Sequence, residues 1–127
     1  MSMGEEKKVG GYKDLIVWQK AVALVKRVYQ VTSAFPSDER FGLVSQMRRA
    51  AVSIPSNIAE GQARHTTGEF IQGLSHAEGS LAELDTQLTI AVELGFCPQA
   101  AITDVFALLY EIRKMLNGLR RTLDARR

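Results

Sequence analysis

TTGEFIQGLSHAEGSLAELDTQLTIAVELG, residues Thr66 to Gly95, is the most regular stretch of the chain. Phe70, Leu74, Ala77, Leu81, Leu84, Leu88 and Ala91 follow one another at alternating steps of four and three. An α-helix turns once in roughly 3.6 residues, so this spacing keeps them all on one face. Thr66 with Glu69 three residues on fits a capping box at the start, and Gly95 is a natural stop at the end. The spacing predicts a helix of about 28 residues, roughly 42 Å long at 1.5 Å per residue. Gly73 and Gly79 fall inside it, where they are expected to permit close helix approach rather than to hold a ligand.

The same periodicity recurs on both sides. Downstream, Pro98 suits a first helical turn, and Ile102, Val105, Leu109, Ile112, Leu116, Leu119 and Leu123 continue the pattern to the end. Upstream, a first helix is expected over 14–34, with Leu15, Trp18, Val22, Val25, Tyr29 and Thr32 as its inner face and Phe35-Pro36 as its stop. A second is expected from a Ser37 N-cap to about Ala63, with Leu43, Met47, Ala50, Ile54 and Ile58 inward. Pro55 lies within that pattern and predicts a kink, the rival being two short helices broken there. Four such seams joined by short links predict an all-α, up-down-up-down four-helix bundle over 13–127, preceded by a flexible segment over 1–12.

Composition excludes several classes. The chain has 127 residues, 46% hydrophobic and 24% charged, which suits one globular domain. Cys97 is the only cysteine, so neither an intrachain disulfide nor a thiolate metal site is available. No apolar run approaches the roughly 20 residues of a membrane span, and the first residues lack the apolar core of a signal peptide. A cytoplasmic protein is expected. The net charge is only +2, but it is unevenly spread. No Lys or Arg lies between Arg64 and Arg113, a stretch that holds Glu69, Glu78, Glu83, Asp85, Glu93, Asp104 and Glu111. Beyond it stand Arg113, Lys114, Arg120, Arg121, Arg126 and Arg127 against Asp124 alone.

No catalytic constellation is present. His65 and His76 lack the Glu-x-x-His spacing of a bundle di-metal site. Ser53 and Ser56 flank Pro55 outside any nucleophile motif, and there is no Gly-rich phosphate loop. No enzyme, cofactor, metal or small-molecule substrate is therefore expected. Two polar groupings stand out instead. Arg49, Ser53, Asn57, Glu60 and Arg64 lie at steps of three and four along the second helix, and Ser80 and Glu83 flank the leucine seam of the third. This is either a solvated face with helix-spaced ion pairs or a polar contact with a neighbouring helix or another subunit. An acidic third helix and a basic second helix can pair within a chain or between chains, and between chains the contact is heterologous and can close a ring. The second grouping is basic: Lys26, Arg27, Arg120, Arg121, Arg126 and Arg127. It either complements the helix dipole or touches phosphate, and with few interleaved aromatics any nucleic-acid contact is electrostatic or shape-directed.

The run QMRRAAVSIPSNIAEG, Gln46 to Gly61, resembles the four-helix bundle family of proteins encoded in intervening sequences of bacterial 23S rRNA genes. DLIVWQKA (Asp14–Ala21), FPSDERFGL (Phe35–Leu43), HAEGSLAELDTQL (His76–Leu88) and IRKMLNGL (Ile112–Leu119) extend the resemblance in the same order over nearly the whole chain. The resemblance implies a bundle assembling into a ring-like homopentamer without enzymatic activity. Related accessory proteins of diversity-generating retroelements form pentameric barrels that bind RNA and a reverse transcriptase. The expected function is thus an RNA-associated homo-oligomer, the alternative being a scaffold for a protein partner. Arg48, Arg49, Ser53, Asn57, Glu60 and Arg64 are the conspicuous residues of the resembling run, and they serve fold or assembly as readily as a ligand.

Overall fold

A computed structural model describes residues 11–126. The expected flexible segment lies outside them except for residues 11 and 12, and so does Arg127. Among the described residues there are four long helices and no strand. They are α1 (Ile16–Thr32), α2 (Ser45–Ala63), α3 (Thr67–Glu93) and α4 (Gln99–Ala125). A short 3-10 turn, Tyr12–Asp14, precedes α1.

Consecutive helices pack side by side, and α4 returns to pack on α1, so each helix has two neighbours around one core. Ion pairs fix the directions. Lys20 and Arg27 of α1 reach Glu111 and Asp104 of α4, so rising numbers in one meet falling numbers in the other. Glu78 and Asp85 of α3 meet Arg120 and Arg113 of α4 in the same antiparallel sense. The α1–α2 and α3–α4 links share one end of the bundle, where the rings of Phe35 and Phe96 lie 5.8 Å apart.

Both ends of α3 are capped as the sequence indicates. Thr66 Oγ1 accepts from the Glu69 backbone N–H at 3.2 Å and donates to Glu69 Oε1 at 2.8 Å. At the other end Gly95, with φ +77°, donates to the Val92 carbonyl, and Phe96 donates to the Ala91 carbonyl. That double closure needs a left-handed residue where Gly95 stands. Leu74, Ala77, Leu81, Leu84, Leu88 and Ala91 are fully or nearly fully buried, and so are Ile102, Val105, Leu109, Ile112 and Leu116 of α4. Burying one such leucine or isoleucine stabilises the fold by roughly 1.5–3 kcal/mol. Pro98 is the N-cap of α4 rather than a residue of its first turn.

Two elements depart from expectation. The buried face of α1 is Val17, Ala21, Leu24, Val28 and Thr32, not the series through Trp18, Val22, Val25 and Tyr29. Both series obey helical spacing and differ by one residue, a rotation of about 100°. Ala21 and Leu24 fit the narrow centre, whereas Trp18 and Val25 pack at its margin and Tyr29 stays exposed. The α2 region does not start as a regular helix at Ser37. Ser37–Glu39 form a 3-10 turn, Arg40–Val44 a π-type segment, and the dihedrals at Gly42 (φ −109°, ψ −108°) leave helical geometry. The cap there is Glu39, whose side chain accepts from the Leu43 N–H at 3.4 Å. From Ser45, α2 runs unbroken through a buried Pro55, so it is not two short helices.

Candidate functional site

The polar stripe of α2 faces α3. Ser53 Oγ donates to Ser80 Oγ at 2.7 Å, and the Asn57 amide donates to the Ser53 carbonyl at 2.8 Å. Arg64 bridges Glu60 of its own helix at 3.3 Å and Glu69 of α3 at 3.7 Å. The helices meet so closely because Gly61 and Gly73 face each other. A Cβ on Gly73 would lie 2.6 Å from the Asn57 carbonyl oxygen and 2.8 Å from Gly61 Cα. Gly79 has no such role, since a Cβ there meets nothing within 4 Å.

Beside this contact lies a cleft of about 170 Å³ lined by Asn57, Glu60, Arg64, Glu69, Gln72 and His76, with the two glycines as its floor. Sequence spacing placed Asn57, Glu60 and Arg64 there but not the α3 side. The signal was available. Glu69, Gln72, His76, Ser80, Glu83 and Gln87 recur at steps of three and four, a second polar stripe opposed to the first. The remaining stripe residues lie farther along. Glu83 accepts from the Gln87 amide at 3.2 Å, and Arg49 is exposed. Gln87 is buried, and its Oε1 has no hydrogen-bond partner. Arg48, the neighbour of Arg49, is committed to α1. It donates to Thr32 Oγ1 at 3.0 Å and to the Tyr29 carbonyl at 3.3 Å, with its guanidinium 4.4 Å from the Tyr29 ring centroid.

The basic grouping is not brought together. Arg27 makes a two-pronged contact with Asp104, at 2.9 and 3.0 Å. Arg120 does the same with Glu78, at 3.2 and 3.1 Å. Their partners on α4 and α3 place Arg27 near one end of the bundle and Arg120 near the other, about 24 Å apart along α4 at 1.5 Å per residue. Lys26, Arg121 and Arg126 are exposed, and Arg127 lies outside the described residues. The hydrogen bonds from Arg27, and secondarily its charge, hold the Asp104 carboxyl below the usual carboxylate range. The same bonds raise Arg27 above its ordinary value. Burial alone pushes the Cys97 thiol up. The acids of α3 are thus answered largely by α4 rather than by α2.

Two grooves occupy opposite edges of the bundle, the first mainly apolar and the second mixed in character. Tyr12, Trp18, Val22, Val25, Val52, Pro55, Ser56 and Ala59 line about 320 Å³ between α1 and α2. This is where the outward series of α1 lies. Val92, Phe106 and Tyr110, with Thr89, Glu93, Gln99 and Thr103, line about 300 Å³ between α3 and α4. Among the described residues no three His, Cys, Asp or Glu side chains gather into a possible metal site, and no helix is long and apolar enough to cross a membrane.

Residues 13–118 match the family model described as 23S rRNA-intervening sequence protein. No curated protein matches the chain.

Proposed function

The chain belongs to the 23S rRNA-intervening sequence protein family, and from that premise we propose a non-enzymatic scaffold that assembles into a ring-like homopentamer and associates with RNA in the cytoplasm. The observation that supports the assembly is the pair of open grooves on opposite edges of one bundle, one mainly apolar and one mixed apolar and polar. Opposed, unlike faces suit a head-to-tail contact, which closes into a ring when the rotation divides the circle. Among the described residues the interior is filled mainly with aliphatic side chains.

Lys26, Arg49, Arg121 and Arg126, all exposed, supply the charge for RNA, with Arg127 beyond them. Arg27 and Arg120 are secondary contributors, because each already holds a carboxylate. Filter-binding titration of the assembled protein against structured RNA at several salt concentrations tests the reading. Affinity is expected to fall steeply as salt rises, since phosphate contacts release counterions. No measurable binding at low salt by a confirmed oligomer rules it out.

One observation favours a second reading, a scaffold for a protein partner. Two of the six candidate phosphate-binding cations are spent on ion pairs between helices, while the α1–α2 groove is mainly apolar. Capture with the native oligomer before and after nuclease treatment separates the two, because a protein partner survives nuclease.

A further inference from the structure

Phe41 is the most exposed large apolar side chain among the described residues, at 89% of its surface. It stands in the irregular Arg40–Val44 segment, beside an exposed Arg40 that has no ion pair among the described residues. Leaving a phenylalanine ring in water forgoes the stabilisation of burying it. Among the described residues the ring pairs with no other aromatic and is not part of the core.

We infer that Phe41 and Arg40 form a knob that seats in the α3–α4 groove of the next copy of this chain. The inference rests on the ring assembly proposed above and names its contact. Three observations select this occupant. The first is height. The α1–α2 link and the α3–α4 link share one end, joined through Phe35 and Phe96. The groove is built from the last turns of α3 and the first turns of α4, so it opens at that same end. In a ring whose axis runs along the bundles, copies stand at equal height, and knob and groove face each other. The α1–α2 groove runs through Tyr12, Trp18 and Ala59, toward the opposite end, and Phe41 does not reach it in that arrangement.

The second is side. With the helices in cyclic order, the α1–α2 edge and the α3–α4 edge are opposite, and Phe41, exposed in its own chain, does not line that chain's own groove. Each copy gives a knob on one edge and receives one on the other, which is a heterologous contact. The third is charge. Glu93 lines the groove, is exposed, and has no ion pair among the described residues, while Arg40 is adjacent to Phe41. A cation and an anion, each without an ion pair among the described residues, answer one another across the joint.

The test is solution mass by light scattering on the full chain, with circular dichroism as the fold control. Wild type is expected to hold a multiple of 14.0 kDa at tens of micromolar. Phe41→Asp, Arg40→Glu and Glu93→Arg are each expected to shift the mass toward the monomer with helix content unchanged. Combining Arg40→Glu with Glu93→Arg is expected to restore the wild-type mass. Should Phe41→Asp keep the full assembled mass, the knob is wrong while the ring stands. A monomeric wild type at that concentration overturns the ring and the knob together. Loss of assembly in both charge variants without recovery in the double variant overturns the Arg40–Glu93 pairing.

Discussion

Gly61 and Gly73 set the distance between α2 and α3, and the chain has little room to compromise there. Gly73→Ala places a methyl 2.6 Å from a backbone oxygen, which neither helix can yield without sliding apart. A loss of about 2 kcal/mol is expected, the middle of the overpacking range. Gly79→Ala, six residues along the same helix, meets open space and gains helix propensity, so a stabilisation of about 0.8 kcal/mol is expected. Chemical denaturation of the two variants checks the opposite signs. His65 is a separate case. It closes α2 with φ +69°, a left-handed conformation that costs a residue with a Cβ about 1 kcal/mol. His65→Gly is expected to raise stability by about 0.5–1 kcal/mol and to lift the melting temperature correspondingly. Nothing in the local sequence ARHTTG marks His65 as left-handed, because Gly68, the obvious candidate for such a stop, lies inside α3.

At the scale of the element, legibility follows how many alternatives the pattern leaves. The α3 and α4 seams are long and bounded by Thr66, Gly95 and Pro98, and their inner faces were readable apart from their ends, where Phe70 and Leu119 are only partly buried and Ile71 is buried instead. The α1 face was not. Two apolar series one residue apart run along it, and large aromatics drew the choice toward the series that the fold places at the margin. The correct series holds Ala21, whose small size matters only once the neighbouring helices are known to be close. The start of α2 was misread for a related reason. Ser37 followed by two acids is a good cap locally, but Gly42 interrupts the helix before it can settle. Between elements, the Arg27–Asp104 pair joins α1 to α4. Since the carboxyl is held below its unfolded value, its contribution is full above about pH 4 and is lost as pH falls through the depressed folded value. Asp104 is well exposed, so the pair is worth about 0.5 kcal/mol at most after screening. Asp104→Asn is expected to lower stability by that amount at pH 7 and to match wild type in strong acid, as measured by urea midpoints across pH.

For the molecule as a whole, the bundle was legible because four apolar seams with short links leave little choice of architecture. The α2 half of the candidate cleft was legible for the same reason, as a polar stripe with poor helix formers in it. Its α3 half was hidden in plain view, since Glu69 reads as a cap and His76 as a stray imidazole until α2 lies alongside. The supposed basic patch shows the opposite failure. Charge counted along the chain takes no account of partners, and only the antiparallel pairing reveals that Arg27 and Arg120 are 24 Å apart and occupied. Bringing the backbones of α2 and α3 together at Gly61 and Gly73 has a kinetic corollary as well. These helices are adjacent in sequence, joined by a three-residue link, and interlocked more tightly than any other pair. Such local closure costs little chain entropy, which makes this hairpin the natural first unit to form and the last to open. Native-state deuterium uptake is therefore expected to be slowest at amides near Ile58 and Leu74, with the outer turns of α1 and α4 labelling earlier.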